Sequence, residues 1–341
     1  MKKRLDLLCL GEALIDFVAT DVGPLRRAPG FVKAAGGAPA NVAVAAAKLG
    51  LRSGFMGAVG RDEFGYFLRD TLAAAGVDVR GLCLSEEGGT PLAFVSLRKD
   101  AQRDFLFYWT DTADQRIDVR DLPVSLARSS RAFHYGSISL IHPAMRKATQ
   151  ECLRAAKRAR DVFISCDPNV RLGLWPAAKQ ARKTILDAIA PAHLVKINDD
   201  ELGFLVGRRS LSAGMRALTE YTDAGILVTL GGRGAAYRWK GSEGVVPGFR
   251  VASIDSTGAG DGFVAGFLAR MLASAGDPMK LREAPPDLEE WIRYANAVGA
   301  LATTKRGAIP SFPSGKAVAK TLRTLRSRGG LKKAGILLSS P

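Results

Sequence analysis

Short apolar runs alternate along the chain with longer Ala- and Leu-rich segments in which apolar residues recur at helical spacing. The short runs predict strands at 5–11, 52–60, 131–137, 161–167, 192–198 and 225–232. The longer segments predict helices at 41–49, 63–75, 142–159, 177–189 and 259–273. A mostly parallel sheet covered by helices on both faces produces this alternation, because its strands are buried on both sides. We therefore predict an α/β fold, a three-layer α/β/α sandwich.

Two segments depart from this alternation, Val18 to Ala35 and Thr90 to Thr112. Each is rich in β-forming residues, and the second reads as two such runs around a polar turn. Both segments leave the main alternation and return to it. We therefore predict a small β-sheet that grows from the main domain as a lid.

Polar residues follow several of the predicted strands. They are Asp16, Asp167 to Asn169, Asn198 with Glu201, and Gly231 to Gly234. A turn or a helix cap explains any one of them alone. Because ligands bind beyond the carboxyl ends of parallel strands, together they predict a binding site at that edge of the sheet.

The composition of the chain is that of a globular protein, with 341 residues, 47% hydrophobic and 24% charged. No apolar stretch reaches the roughly 18 residues that a membrane-spanning helix needs, which excludes such a helix. Asp6, Glu12 and Asp16 interrupt the apolar part of the N-terminus, so we expect no export and a cytoplasmic protein.

The four cysteines lie far apart, with no CxxC pair, and the chain has three histidines. This pattern predicts neither disulfides nor a zinc site. We expect Cys9, Cys83, Cys152 and Cys166 to be small hydrophobic residues in a reducing compartment.

The net charge of +16 favours anionic partners: nucleic acid, a membrane surface or a phosphorylated substrate. The densest basic run, Lys316 to Lys333, contains no acidic and no aromatic residue. Aromatic residues are what stack on bases in single-stranded nucleic acid. We therefore interpret 316–341 as a solvated basic tail after a domain at 1–315, and expect neither nucleic acid nor a membrane as a partner.

The strongest motif is DSTGAGD, Asp255 to Asp261, which leads directly into an apolar helix. The first amides of a helix lack internal partners, and with the helix dipole they attract an anion such as a phosphate. An aspartate beside that anion can accept the proton of an attacking hydroxyl. The alternative is a tight turn followed by an acidic residue that stabilises a helix N-terminus.

The second motif is GGAPAN, Gly36 to Asn41, which precedes an Ala-rich helix. Asn41 can bind a polyhydroxylated ligand through both groups of its amide. It can equally cap the helix.

The two motifs together resemble those of the ribokinase-like (PfkB) carbohydrate kinases, which carry GGxxxN near the N-terminus and DTxGAGD near the C-terminus. The resemblance extends from Leu5 to Ser311. GGAPAN, DPNVRLGLW at Asp167 to Trp175 and TAD at Thr112 to Asp114 look most like bacterial fructokinases. The resemblance implies ATP-dependent phosphorylation of a sugar hydroxyl. It favours fructose, which would become fructose 6-phosphate, over 2-keto-3-deoxygluconate or a nucleoside as the substrate.

The resemblance also implies a role for each matching residue. Asp261 corresponds to the catalytic base, and the amides of Gly258, Ala259 and Gly260 to the anion hole. The sugar would contact Asp16, Gly37, Asn41, Asn169 and Arg171, under an apolar lid cover of Phe94, Phe107 and Tyr108. Asn198 and Glu201 would organise Mg²⁺ and phosphate, and Thr229, Gly231, Gly234 and Asn296 would bind ATP. A K⁺ site would involve Asp255, Thr257, Ala302, Gly307 and Ser311.

One position departs from the pattern, because Trp109 stands where fructokinases often have arginine after Phe-Tyr. It replaces a cation with an apolar ring, which bears on the identity of the substrate. The resemblance further implies a homodimer formed through the lid. An alternative of another class is a member that binds a sugar or nucleotide without catalysis, although such a protein has no need for Asp261 or the Asn198–Glu201 pair.

Overall fold

The computed structural model describes residues 4–97, 103–274, 279, 285 and 287–327. Its strands are β1 (Leu7–Leu10), β2 (Leu14–Val22), β3 (Phe31–Gly36), β4 (Ser53–Gly60), β5 (Asp78–Ser85), β6 (Leu92–Leu97), β7 (Arg103–Tyr108), β8 (Ala132–Tyr135), β9 (Phe163–Cys166), β10 (Leu194–Asn198), β11 (Gly225–Thr229), β12 (Gly234–Trp239) and β13 (Ser242–Pro247). Its helices are α1 (Ala38–Lys48), α2 (Glu63–Ala74), α3 (Ala113–Arg116), α4 (Ser125–Ser129), α5 (Pro143–Ala159), α6 (Ala178–Ile189), α7 (Asp199–Val206), α8 (Leu211–Leu218), α9 (Ala259–Ser274), α10 (Leu288–Ala302), α11 (Ala308–Ser311) and α12 (Gly315–Ser327). Every predicted strand and helix is present, with ends that differ by a few residues.

The main sheet has the order β13-β12-β11-β10-β9-β8-β1-β4-β5. Its strands pair in parallel from β5 to β11, whereas β12 and β13 pair antiparallel at one edge. Every residue of β1 and β4 is buried, which explains why these strands read as continuous apolar runs. The predicted mostly parallel sheet is confirmed, whereas β5, β12 and β13 were not predicted.

Two hydrophobic cores lie on opposite faces of this sheet. One contains residues of α5 to α8, such as Met145, Ile185 and Met215. The other contains residues of α1, α2, α9 and α10, such as Phe267 and Trp291. Since helices cover both faces, the three-layer sandwich is confirmed.

The lid is a separate sheet with the order β3-β2-β6-β7. Strand β2 pairs antiparallel with β3 and in parallel with β6, and β6 pairs antiparallel with β7. Both predicted segments therefore form this second sheet, although its first strand begins at Leu14 rather than Val18. Residues 98–102 of the second segment lie outside the described residues.

The interpretation of residues 316–341 as a solvated tail is wrong for the part that the structure describes. Residues Gly315–Ser327 form α12, in which Val318 is fully buried against Ala297 and Val298 of α10. The apolar side chains of α12 form a stripe among its lysines and arginines, and burial of this stripe stabilises the packing of α12 against α10. The rest of the predicted tail, 328–341, lies outside the described residues.

The cysteines are free, and Cys9, Cys152 and Cys166 are buried, whereas Cys83 is half-buried. Burial raises the pKa of each thiol, so the thiols stay protonated. They are the small hydrophobic residues that the sequence predicts. No helix in the described part of the chain is long and apolar enough to cross a membrane.

Candidate active site

A cavity of about 1290 Å³ opens at the carboxyl ends of the parallel strands, between the main sheet and the lid. The predicted site residues that line it are Asp16, Gly37, Asn41, Phe107, Asn169, Arg171, Asn198, Thr229, Gly231, Gly234, Thr257, Gly258, Ala259, Gly260, Asp261 and Asn296. Residues from both sequence motifs thus meet in one place. Phe94, Tyr108, Glu201, Asp255, Ala302, Gly307 and Ser311 do not line it.

The Gly-Ala-Gly turn presents backbone amides to the cavity at the start of α9. Gly258 has a φ of +79°, and a Cβ there would lie 2.9 Å from Ala308 Cβ, so glycine is required for both reasons. Among the described residues, the Gly258 and Gly260 amides donate no hydrogen bond. Ala259 is a correction to the predicted anion hole, because its amide already donates to the carbonyl of Ser256 at 3.2 Å.

Asp261 lies in the first turn of α9 and faces the same cavity. Its Oδ2 accepts a hydrogen bond from Asn41 Nδ2 at 2.9 Å. Burial raises the pKa of Asp261 to about 6, against the lowering effects of Asn41 and Lys196. A carboxyl group with this pKa is largely ionised at neutral pH and still basic enough to accept a proton.

The GGAPAN segment delivers Asn41 to the cavity from α1. The helix begins at Ala38, after Gly37, so Asn41 lies within the first turns and does not cap the helix. Asn41 is buried, and its Oδ1 has no partner among the described residues. The bonded Nδ2 and the unbonded Oδ1 favour ligand binding over the capping alternative.

The two glycines allow close approach of the lid. A Cβ at Gly36 would lie 2.3 Å from Asp16 Oδ2, so glycine leaves room for that carboxylate. Gly37 has a φ of +104°, and a Cβ there would lie 2.3 Å from the carbonyl oxygen of Glu12. The side chain of Glu12 also fixes this turn, because its Oε1 accepts from the Ala38 amide at 3.0 Å.

The lid contributes a different aromatic pair from the one predicted. Side chains alternate along β7, so Phe105 and Phe107 lie on the face that lines the cavity, with ring centroids 5.7 Å apart. Tyr108 lies on the opposite face, where its ring is 5.5 Å from that of Phe94. The prediction is therefore wrong for Phe94 and Tyr108, and it missed Phe105.

Asn169 and Arg171, which are predicted to contact the sugar, line the cavity below the lid. The Arg171 guanidinium lies 5.9 Å from the centre of the Phe105 ring. Trp109 does not line the cavity itself, but its ring lies 5.9 Å from the ring of Phe107, which does. The Trp109 Nε1 donates to Asp114 Oδ2 at 2.7 Å. This hydrogen bond ties the end of β7 to α3, and the effect of Trp109 on the substrate stays a prediction.

The residues predicted to bind ATP or its phosphates, Asn198, Thr229, Gly231, Gly234 and Asn296, line the cavity together. Asn296 Nδ2 donates to the carbonyls of Val246 and Pro247, which holds the end of β13 against α10. This arrangement leaves a glycine-rich groove between β11, β12 and α10.

Glu201 lies behind this groove rather than in it. Its Oε1 accepts from the Val170 amide at 2.7 Å and its Oε2 from the Asn198 amide at 2.9 Å. Its two oxygens thus join the loop after β9 to the start of α7. The predicted direct role of Glu201 as a metal ligand is corrected to one of positioning these loops.

The residues predicted for a monovalent cation lie close together beside the anion hole. Asp255 Oδ1 accepts from the Thr257 amide and its Oδ2 from the Gly307 amide, both at 2.8 Å. The backbone of Ala302 leads into Thr303, whose carbonyl accepts from the Asp255 amide at 3.1 Å. Ser311 Oγ donates to the carbonyl of Ala308. Thr257 Oγ1 is buried and has no partner in the described part of the chain.

Sequence reasoning missed several residues that line the cavity, among them Glu12, Phe105, Lys196, Asp199, Asp200 and Arg250. Asp199 and Asp200 directly follow Asn198, so their place after a predicted strand was the available signal. For Lys196 there was no signal of this kind in the sequence, because a single lysine within an apolar run is indistinguishable from one exposed at the end of a strand. The residues that the structure describes contain no group of three or more His, Cys, Asp or Glu side chains placed to hold a metal ion.

A cavity that brings a proton acceptor to the amides of a helix N-terminus, with a glycine-rich groove beside it, suits transfer of a phosphoryl group to a small alcohol. The class of protein is accordingly a small-molecule kinase with a ribokinase-like fold. The chain belongs to the pfkB family of carbohydrate kinases, which matches residues 4–315.

Several similar proteins within this family are fructokinases. Fructokinase-2 of Solanum lycopersicum is 43% identical over 310 residues, which cover 90% of this chain and 93% of that protein. The crystal structure of a Xylella fastidiosa fructokinase with bound ATP has a TM-score of 0.82 and 35% identity, covering 95% of this chain and 98% of that one. A double mutant of Vibrio cholerae O395 fructokinase, in its fructose-, ADP- and potassium-bound form, has a TM-score of 0.81 and 32% identity, covering 94% and 99%.

Proposed function

We propose that this protein transfers the γ-phosphoryl group of ATP to fructose and forms fructose 6-phosphate. The observation that carries the proposal is the 2.9 Å hydrogen bond between Asn41 and Asp261, which joins the two motifs at the anion-binding end of α9. The likeness to fructokinases along nearly the whole chain supports fructose as the acceptor.

In this reaction Asp261 accepts the proton of the sugar hydroxyl as the hydroxyl oxygen attacks the γ-phosphorus. The new O–P bond forms while the bond from phosphorus to the bridging oxygen breaks, and its electron pair leaves with ADP. The amides of Gly258 and Gly260, at the positive end of the helix dipole, stabilise the negative charge on the phosphoryl oxygens.

The sugar is held by polar groups that converge from the main sheet and the lid. Asp16 and Asn41 offer an acceptor and an amide to its hydroxyls, and Asn169 and Arg171 face it from the loop after β9. Phe105 and Phe107 cover this end of the cavity with apolar surface. Their role is to exclude water, which would otherwise compete as an acceptor of the phosphoryl group.

ATP occupies the groove formed by Thr229, Gly231, Gly234 and Asn296. When bound with the nucleotide, Mg²⁺ would neutralise charge on its phosphates. Asp199 and Asp200 line the cavity beside Asn198. Their carboxylate oxygens are suitable ligands for a hard divalent cation, most of whose other ligands would be phosphate oxygens of ATP. We also place the protein in the cytoplasm, which its free cysteines support.

Fructose is expected to give the highest kcat/KM in a coupled assay over fructose, ribose, 2-keto-3-deoxygluconate and nucleosides. A sugar acid or a nucleoside with a clearly higher value would replace fructose as the acceptor and leave the kinase assignment intact. With an acidic acceptor, Arg171→Ala would remove a charge-assisted hydrogen bond and cost about 1.5–3 kcal/mol in the transition state. Transfer to no acceptor, with intact ATP binding, would favour a non-catalytic binding protein.

Potassium is expected to raise kcat several-fold, because a cation near Asp255 and Thr257 would stiffen the turn that presents the anion-hole amides. The buried Thr257 Oγ1 without a partner fits an oxygen ligand of such a cation. The measurement compares rates in potassium and in tetramethylammonium at constant ionic strength. Equal rates would remove the cation from the proposal.

The lid is expected to join two copies of the chain. Its outward face exposes Phe31, Leu106 and Tyr108, with Tyr108 59% exposed. Light scattering after gel filtration should give twice the monomer mass for the wild type and the monomer mass for Tyr108→Lys. Tyr221→Lys is the matched control, because Tyr221 is an exposed tyrosine that lies outside the lid. A monomeric wild type would contradict the dimer.

A further inference from the structure

Lys196 is a buried lysine in the centre of the main sheet. It lies on β10 with 6% of its surface exposed, between Val195 and Ile197, which pack into the core on the other face. Its neighbour on the same face, Leu194, packs into the core that contains α9. The sheet therefore directs Lys196 toward the layer from which the anion hole is built.

The buried charge is paired with a single carboxylate. Lys196 Nζ donates to Asp167 Oδ2 at 2.9 Å, and the two side chains are 7% and 4% exposed. Burial would lower the pKa of Lys196, but Asp167 and Glu201 outweigh it and raise the pKa, so the ammonium stays charged. Burying such a pair costs several kcal/mol per ion, and apolar residues of similar volume often serve stability as well or better. Stability is therefore a weak reason for this pair.

The position of the ammonium gives a stronger reason. Lys196 lines the cavity, and a Cβ built at Gly260 would lie 3.0 Å from Lys196 Nζ. Gly260 directly precedes Asp261, so the ammonium lies beside the turn that carries the anion-hole amides. The proximity is also electrostatic, because Lys196 lowers the pKa of Asp261 against the effect of burial.

An ammonium has three N–H donors, of which Asp167 accepts one. Within the described residues, no other hydrogen-bond acceptor of Lys196 is found. The remaining donors are therefore available to an anion that binds in the cavity beside Gly260.

We propose that Lys196 is a catalytic residue that donates a charge-assisted hydrogen bond to an oxygen of the phosphoryl group during its transfer. The proposal rests on the proposed function and adds a residue to its site. As the bond to ADP breaks and the bond to the sugar oxygen forms, negative charge spreads over the phosphoryl oxygens, and Lys196 stabilises it. Lys196 keeps its proton throughout, and the proton of the hydroxyl goes to Asp261. Asp167 positions the ammonium.

The first test is Lys196→Met, which keeps the length of the side chain and removes its charge. We expect kcat to fall by about 10²- to 10³-fold, the usual effect of losing one donor to a developing oxyanion. The KM for fructose should change little. Calorimetry should also show that ADP with aluminium fluoride, which mimics the phosphoryl group in transfer, loses far more affinity than ATP does.

The matched control is Lys183→Met, which removes a lysine from another Lys–Asp pair. Lys183 Nζ lies 2.9 Å from Asp187 Oδ2 on the exposed face of α6, away from the cavity. Its kcat should equal that of the wild type. A fall in both variants would point to a general effect of losing charge and would overturn the proposal.

The second test separates catalysis from neutralisation of Asp167. Lys196→Met leaves a carboxylate buried without a partner and can therefore unfold the protein. The double variant Asp167→Asn with Lys196→Met removes both charges and should fold, with kcat still about 10²- to 10³-fold below the Asp167→Asn single variant. If the double variant and Asp167→Asn turn over equally fast, Lys196 does no more than neutralise Asp167, and the proposal fails.

All variants are also compared in ATP hydrolysis without sugar, where water accepts the phosphoryl group. The same fall is expected there, because the oxygen that Lys196 contacts is present with either acceptor. A wild type that does not phosphorylate fructose would contradict the proposed acceptor, and the hydrolysis rates would still decide the role of Lys196.

Discussion

Asp261→Asn is expected to lower kcat by about 10²- to 10⁴-fold, the range for loss of a positioned general base. Asparagine keeps the size of the side chain, and its carbonyl oxygen can still accept the hydrogen bond from Asn41 Nδ2. Folding and ATP affinity should therefore be nearly unchanged, as thermal unfolding and calorimetry would measure. A variant with near-normal kcat would contradict the assignment of Asp261, and an unfolded variant would reveal a structural role.

The pH profile of the wild type gives an independent check of the same residue. Only the carboxylate form of Asp261 can accept the proton, and burial raises its pKa to about 6. The kcat/KM should therefore be constant on the neutral side and fall tenfold per pH unit well below 6. Asp261→Asn should lose this acidic limb. A profile that stays flat down to pH 4.5 would contradict the base.

Gly36→Ala is expected to lower kcat/KM for the sugar strongly, through displacement of Asp16. The added Cβ would lie 2.3 Å from Asp16 Oδ2 and 2.9 Å from its Cγ, so the carboxylate must leave its place in the cavity. Losing one charge-assisted hydrogen bond to a sugar hydroxyl costs about 1.5–3 kcal/mol, or about 10- to 150-fold. Steady-state kinetics should place most of the loss in the KM for sugar, with the KM for ATP little changed.

The matched control for that substitution is Gly30→Ala, in the same part of the lid. A Cβ at Gly30 would meet Thr20 Cγ2 at 3.8 Å, which is ordinary contact. Its kinetics should equal those of the wild type. If both alanine variants lose activity equally, the stiffness of the lid explains the result, and close packing of Asp16 does not.

Most of the fold could be predicted from local sequence pattern. The central strands and their helices were found because strands buried on both faces leave unbroken apolar runs, as in β1 and β4. The edge strand β13 was missed because its sequence, Ser242 to Pro247, is only partly apolar and mostly solvent-accessible. Helix α12 was missed because its lysines and arginines conceal an apolar stripe with Val318 at its centre.

The sequence by itself determined the chemistry of the site. Glycine where φ is positive, as at Gly37 and Gly258, and a carboxylate in the first turn of a helix are local requirements, so a short motif records them. Only the tertiary structure decided which side chains meet there. Phe105 rather than Tyr108 faces the cavity because the position of β7 in the lid sheet determines which of its two faces lines the cavity. Hydrogen bonds from two backbone amides hold Glu201 behind the groove. Lys196 lies near the anion hole on β10 and pairs with Asp167, which is 29 residues earlier in the sequence. Such contacts depend on the packing of distant segments, which no local pattern of residues encodes.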